Sequence, residues 1–330
     1  MPTARYDVVG IGNAIVDILV HTDDAFLASE DLVKGAMSLI DKARSADLYG
    51  KIGAAIECSG GSAANTIAGL ASLGSASAYI GKVRDDQLGT VFRHDIRAMG
   101  IDFDTPPAKS GPATATCMVL VTDDAERTMQ TYLGACVGLG PDDIDEQTIA
   151  DAQVTYMEGY LWDPDEAKKA FLKAADIAHR NGRKVSLSLS DPFCVDRHRT
   201  EFRDLVKNHV DILFANEDEV ISLYQADGFD EALQAVRQDC AIAALTRSEK
   251  GSVIVSGDEI HIADAEPVTK VVDTTGAGDA YAAGFLYGWT HQHDLITSAR
   301  IGGIAAAEII SHLGARPAVS LSERVRQRLG

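Results

Sequence analysis

Residues 154–189, VTYMEGYLWDPDEAKKAFLKAADIAHRNGRKVSLSL, decide the fold class of this 330-residue chain. An apolar run at Val154 to Met157 leads to a helical pattern from Asp165 to Asn181, closed by Gly182, and then to a second apolar run at Val185 to Leu189. Strands separated by a helix pair in parallel, because the helix carries the chain back before the next strand begins. Short continuous apolar runs are what strands covered on both faces require. The rhythm extends outward. Similar runs recur at Tyr6 to Ile11, Ala78 to Ile80, Ile212 to Phe214, Ile242 to Leu245 and Val253 to Val255, with helical patterns at Ser62 to Leu73 and Asp230 to Gln238. The expected fold is α/β, a doubly wound, mostly parallel sheet flanked by helices.

Two segments break the rhythm: Asp17 to Ile40, and Ala113 to Cys136 with its stretches TATCMVLVT and RTMQTYLGA. They read as hairpin strands. Inserted near the ends of core strands, they would form a small β-sheet lid over a cleft and keep water from a reacting group. The core then spans about 1–16, 41–112 and 137–330, and the lid about 17–40 and 113–136. A sheet edge or a dimer contact would use the same pattern.

Thirty Lys and Arg against 49 Asp and Glu give a net charge of -19, which argues against nucleic acid or an anionic membrane as partner. Any anionic ligand must meet positive potential made locally, by backbone N–H groups, a metal ion or a few basic side chains. Cys58, Cys117, Cys136, Cys194 and Cys240 are scattered and odd in number, so neither a disulfide framework nor a zinc site is expected. With no signal-peptide core at MPTARYDVVGIG and no apolar run of membrane-spanning length, a cytoplasmic location is expected.

Residues 273–285 read DTTGAGDAYAAGF: a polar turn, two glycines around an alanine, an acid, then small and aromatic residues at helical spacing. A helix that begins inside this stretch leaves the N–H groups of Ala277, Gly278 and Asp279 unpaired, and such groups bind phosphate oxygens. Gly276 and Gly278 let the backbone come close, and Asp279 on the first turn can accept a proton from a hydroxyl. An isolated GxGD is often no more than a helix cap. Upstream, NEDE at 216–219 follows the strand-like DILFA, which puts Asn216 and Glu219 at a strand's C-terminal end, where both can serve a metal. GNAIVDI at 12–18 and GGSAANTI at 60–67 supply Asn13, Asp17, Gly60, Gly61, Ser62 and Asn65, suited to vicinal sugar hydroxyls. GIGNAI also resembles the start of a dinucleotide fingerprint, but Ile15 stands at its third glycine position and would crowd the helix–strand contact.

DTTGAGDAYAAGF resembles the C-terminal signature of the ribokinase-like (PfkB) carbohydrate and nucleoside kinases. Further landmarks follow in the family's order: GNAIVDI, GGSAANTI, GKVRDDQLG at 81–89, NEDE, and TRSEKGSVI at 246–254. The resemblance implies ATP and Mg²⁺, with Asp279 as catalytic base and Gly276, Ala277 and Gly278 as the anion hole. It implies that Asn216 and Glu219 serve the Mg²⁺-water and phosphate network, and that Thr246, Arg247 and Gly251 lie on the nucleotide side. Arg247 and Ser248 depart there from the usual T-x-G-x-x-G turn. Thr275 joins the nucleotide set, as does Gly303, standing where the family often has Asn near adenine in the helix that leads into AAAEIISHLGARP. Asp273 and Thr275 match a monovalent-cation (K⁺) site of many relatives.

The resemblance further implies sugar binding by Asp17, Asn13, Gly61 and Asn65. Within the family, GNAIVDI with GGSAAN, KGAMSLID at 34–41 and ERTMQTYLGA at 126–135 are most similar to the adenosine kinases. Met37, Leu133 and Trp162 would then form an apolar slot for a base, and Arg127 would reach the transferring phosphate. The expected reaction is phosphorylation of a nucleoside 5′-hydroxyl, by a monomer or homodimer. Rival readings are a ribose- or fructose-type sugar kinase with the same machinery, and a nucleoside-binding protein without turnover.

Overall fold

A computed structural model of the chain describes residues 4–124 and 126–330. Met1 to Thr3 and Ala125, which belong to the expected core and lid stretches, lie outside the described residues. In chain order the strands are β1 (Tyr6–Ile11), β2 (Ile15–His21), β3 (Met37–Leu39), β4 (Ile56–Gly60), β5 (Ser77–Ile80), β6 (Ala115–Val121) and β7 (Arg127–Tyr132). They continue as β8 (Ala152–Glu158), β9 (Lys184–Ser188), β10 (Ile212–Asn216), β11 (Ile242–Thr246), β12 (Ser252–Ser256) and β13 (Glu259–Ala263). An eight-stranded sheet has the order β13-β12-β11-β10-β9-β8-β1-β5, and a five-stranded sheet the order β3-β7-β6-β2-β4. In the large sheet β5, β1, β8, β9, β10 and β11 are parallel, and β12 and β13 finish one edge antiparallel.

Burial on both faces explains the apolar runs. Leu213 and Ala215 of β10 face one core with the helices Asp165–Arg180, Pro192–His209 and Phe229–Asp239. Ile212 and Phe214 of the same strand face the other, with the helices Ser62–Leu73, Gln87–Ala98 and Ala277–Thr290. Alternate side chains of one strand thus serve two cores, which leaves no polar face to write into the sequence.

The small sheet departs from the expected hairpins. β6 and β7 do pair antiparallel, but β2 and β3 do not pair with each other. Instead β2 lies between β6 and β4, β3 pairs with β7, and the helix Asp24–Ser29 intervenes. Sheet pairing also draws in Ile56–Gly60, from a stretch allotted to the core. Its partner is some forty residues distant, so no local signal marks it. Because β1 runs into β2 through Gly12, Asn13 and Ala14, that short link sits where the two sheets meet.

Phe285 of the helix Ala277–Thr290 is fully buried, with its ring 5.5 Å from that of Phe214 on β10. Phe285→Ala is expected to cost about 3–5 kcal/mol in urea unfolding. A cost below about 1 kcal/mol would mean that this helix is not seated on the sheet as described.

Candidate active site

The C-terminal ends of the parallel strands gather the polar residues, as open α/β sheets do. Two helices point their N-termini into the same cleft. The helix Ser62–Leu73 is capped by Gly61 and the helix Ala277–Thr290 by Gly276, and neither cap offers a side chain to the free amides. Both glycines have positive φ, 98° and 77°. A Cβ at Gly61 would stand 2.1 Å from the Asn13 carbonyl, and one at Gly276 would stand 2.7 Å from Ala315 Cβ. No other residue fits either corner.

Ala277 N–H donates to the Thr274 carbonyl at 3.2 Å, so the amides without a helical partner at this end are those of Gly278 and Asp279. Above Gly278 a Cβ would meet no heavy atom within 4 Å, which leaves the backbone open to a ligand. Asp279 accepts from Ser62 Oγ at 2.6 Å and from Asn65 Nδ2 at 3.3 Å. Ser62, expected on the substrate, therefore holds the carboxylate instead. Asn65 Oδ1 is buried and has no hydrogen-bond partner among the described residues, an acceptor left free beside Asp279. Burial pushes the Asp279 carboxyl up to about 6, against the pull of Ser62, Asn65 and Arg316.

Two further residues shape the site without a sequence motif to announce them. Glu158, at the end of β8, is buried and accepts from Asn13 N and Asn13 Nδ2, each at 2.7 Å, and from Ala63 N at 2.6 Å. It fixes the link between the sheets and fills one free amide of the first helix. Asn13, expected on the sugar, thus donates its amide to Glu158. Burial pushes Glu158 up to about 7, the amides of Ala63 and Asn13 oppose the rise, and Asp279 adds to it. Arg316 reaches back to Ser59 O at 2.7 Å and Ala64 O at 3.0 Å, and its charge pulls down both Asp17 and Asp279. A lone Glu ending an apolar strand was the available signal for Glu158. Arg316, more than 250 positions from its partners, had none.

Asp17 packs over the bare backbone of Gly60, where a Cβ would fall 2.2 Å from its carboxylate. Burial pushes Asp17 up to about 6, with Arg316 and Arg127 lowering it and Asp279 raising it. Its cross-strand neighbours are Cys58 and Cys117. The same sheet face carries an apolar cluster of Ile15, Cys117 and Val119, with Leu19, Met129 and Leu133 packed against it. Leu133 packs against the apolar cluster on the sheet face that carries Asp17. Met37 is on the exposed edge strand β3, 45% accessible. Trp162 is a core residue: its ring packs between Phe171 and Phe202, and Nε1 donates to Glu201 at 2.7 Å. A Trp followed by Asp and Pro reads equally well as a slot wall, and only the position of the helices on that face decides.

Of the residues expected on the nucleotide side, Asn216 and Thr246 are neighbours at the ends of β10 and β11. Asn216 and Glu219 grip each other as a reciprocal helix cap, with Asn216 Oδ1 accepting from Glu219 N at 2.8 Å and Glu219 accepting from Asn216 N at 2.9 Å. Glu219 is buried and pushed up to about 7 by that burial, with Asp191, Asp218 and Asp279 adding to the rise. Arg247 pairs with Glu217 at 2.9 Å and lies 4.0 Å over the Phe229 ring, so its charge is not free for a phosphate. Gly251 is required by the backbone of its own sheet, since a Cβ would meet Ala263 O at 2.1 Å. At Gly303 a Cβ would meet nothing within 4 Å, which leaves space on that helix. Thr275 N–H donates to Asp273 Oδ1 at 3.0 Å, and Arg127 Nη2 stands 2.5 Å from Asp273 Oδ2. Among the described residues no group of His, Cys, Asp and Glu forms a metal cage, and no helix is long and apolar enough to cross a membrane.

A cleft that holds an open helix N-terminus and an acid on its first turn suits transfer of an anionic group between small molecules. The chain belongs to the pfkB family of carbohydrate kinases, whose profile matches residues 50–321. A probable sugar kinase from Rhizobium etli CFN 42 is 52% identical, with a TM-score of 0.92 and coverage of 99% of each chain. An adenosine kinase from Sinorhizobium meliloti is also 52% identical, with a TM-score of 0.92, and the match covers 98% of this chain and 100% of that one. Among curated sequences, an ATP-dependent ribose-1-phosphate kinase from Halopiger xanaduensis is 31% identical over 84% of this chain and 89% of its own.

If Asp279 serves as a base, a carboxyl raised to about 6 is ionised at neutral pH and loses that function as pH falls. kcat/KM is expected to drop about tenfold per pH unit below about 6. A profile still flat at pH 5 would mean that Asp279 either is not raised to about 6 or is not the base.

Proposed function

We propose that this kinase phosphorylates the 5′-hydroxyl of adenosine, giving AMP and ADP. The observation that carries the reading is the apolar face beside Asp17, with Leu19, Met129 and Leu133 half-buried on it. A free sugar needs polar partners throughout, whereas a nucleoside needs a carboxylate for its ribose and an apolar wall for its base. The 52% identity to the Sinorhizobium meliloti adenosine kinase supports the same acceptor.

In this reading the acceptor's hydroxyl oxygen bonds to the γ-phosphorus as the bond from that phosphorus to the β,γ-bridging oxygen breaks. The hydroxyl proton passes to the Asp279 carboxylate, and ADP leaves with the bonding pair. The amides of Gly278 and Asp279 face the charge spreading over the phosphoryl oxygens, and Arg127 brings its guanidinium to the same turn. Asp17 and Asn65 Oδ1 orient the ribose hydroxyls. Glu219, with its pKa raised by burial and by neighbouring acids, suits Mg²⁺ held through water, and the ion would supply positive charge to the β- and γ-phosphates. The small sheet serves as the lid that keeps water from the phosphoryl group. The polyol-binding carboxylate and the Halopiger relative's name favour a second reading, a sugar or sugar-phosphate acceptor on the same machinery.

Release of ADP from Mg·ATP, measured with adenosine, inosine, guanosine, cytidine, ribose, ribose 1-phosphate and fructose, separates the two. Turnover confined to adenosine is expected, and turnover with a sugar alone would overturn the acceptor assignment. Asp279→Asn should lower kcat by about 10²–10⁴-fold while adenosine affinity stays near wild type. Unchanged kcat would exclude Asp279 as the base.

A further inference from the structure

The family resemblance implies a K⁺ site at Asp273 and Thr275, but here the Asp273 carboxylate is already paired with the guanidinium of Arg127. Asp273 Oδ1 accepts from Thr275 N at 3.0 Å, Oδ2 accepts from Gly314 N at 3.0 Å, and Arg127 Nη2 stands 2.5 Å from Oδ2. The Arg127 and Asp273 side chains are only 7% and 4% exposed. The neighbouring Ile310 carbonyl accepts from Val272 N at 2.8 Å and Asp273 N at 3.4 Å. Thr275 offers the carboxylate an N–H.

An alkali cation needs several oxygens with lone pairs turned inward to replace its water. Among the described residues the Asp273 carboxylate accepts from two backbone N–H groups and is paired with a guanidinium from another sheet, while the neighbouring Ile310 carbonyl is already taken by two N–H donors. A second cation beside that guanidinium would be repelled in a dry setting. Arg127 differs from an ion in one respect that matters for the turn. Its Nη2 is engaged by the Asp273 carboxylate, and its Nε is buried with no hydrogen-bond partner among the described residues, so the charge is held in place beside the turn rather than exchanged with solvent.

We propose that Arg127, at the start of β7, replaces the monovalent cation, so that the charge beside the 273–279 turn is delivered by the small sheet and the enzyme needs no K⁺. The inference rests on the reading of that turn as the phosphoryl site. Two consequences separate it from a merely structural ion pair: independence of K⁺ in the wild type, and a K⁺ requirement created when the guanidinium is removed.

The test compares KCl with choline chloride at equal ionic strength. Wild-type ADP release and wild-type thermal midpoint are expected to be the same in both salts. Arg127→Met should be slow in choline chloride, recover at least about tenfold in KCl, and show a midpoint that rises with K⁺. Arg127→Lys should keep part of the K⁺ independence, because it restores the charge without the fork. A saturable rise of wild-type rate or midpoint with K⁺ would overturn the proposal, as would an Arg127→Met protein indifferent to K⁺ in both readouts. Should Arg127→Met fail to fold, the wild-type titration and Arg127→Lys decide. The thermal readout requires no acceptor, so it stands even if adenosine is not phosphorylated.

Discussion

The close approach of three helices through small side chains fixes everything else in the cleft. Gly69 of the helix Ser62–Leu73 meets Ala283 of the helix Ala277–Thr290, where a Cβ on the glycine would stand 2.8 Å from Ala283 Cβ. Gly284 and Gly288 on the same helix lie against Ile301, Gly302 and Ser298 of the helix Leu295–Ile309, with Cβ clearances of 2.6 Å each. Larger residues would push the axes apart by ångströms, and packed interiors do not absorb such changes cheaply. That spacing sets the distance between the two glycine caps. It is why Ser62 and Asn65 can reach Asp279 across more than two hundred residues of chain.

Stability and chemistry pull in opposite directions at this point. Asp17 and Asp279 are pushed up to about 6, and Glu158 and Glu219 to about 7, in each case chiefly by burial. A carboxyl with a folded pKa above its unfolded value favours the fold at low pH, where it is neutral in both states. That contribution is lost as pH rises from the usual carboxylate range through 6 and 7. At working pH the cleft therefore burdens the fold, and the two cores and the helix packing offset it. Arg316 and Arg127 are the charges that keep the burden tolerable, since both pull Asp17 back toward ionisation.

Local chemistry was legible in the sequence and long-range chemistry was not. The alternation of apolar runs and helical patterns revealed the doubly wound sheet, because burial on both faces leaves a continuous signal. DTTGAGDAYAAGF marked the turn and Asp279, because a helix start with glycine on each side of an alanine has few other uses. The small sheet was only half visible: β6 and β7 are adjacent in the chain, but β4 finds its place through a distant partner. Trp162 was misplaced because an aromatic residue states that it will be covered and not by what. Ser62 and Asn13 were assigned to the substrate, yet their side chains are turned to Asp279 and Glu158, partners supplied by strands and helices far along the chain. The engagement of Arg127 with Asp273 has the same origin, since nothing near either residue in the chain names the other.

The charge of the whole molecule bears on how fast an anionic ligand can arrive. With a net charge of -19, the long-range field opposes an anion until it is within reach of the open amides of Gly278 and Asp279. Most enzymes that take up a charged ligand are steered by attraction and slow down as salt is added. Here the far field is repulsive and only the last few ångströms attract, so ions in solution screen the part that hinders. If the cleft takes a nucleotide as proposed above, ionic strength in the physiological range screens the part of the field that hinders its approach.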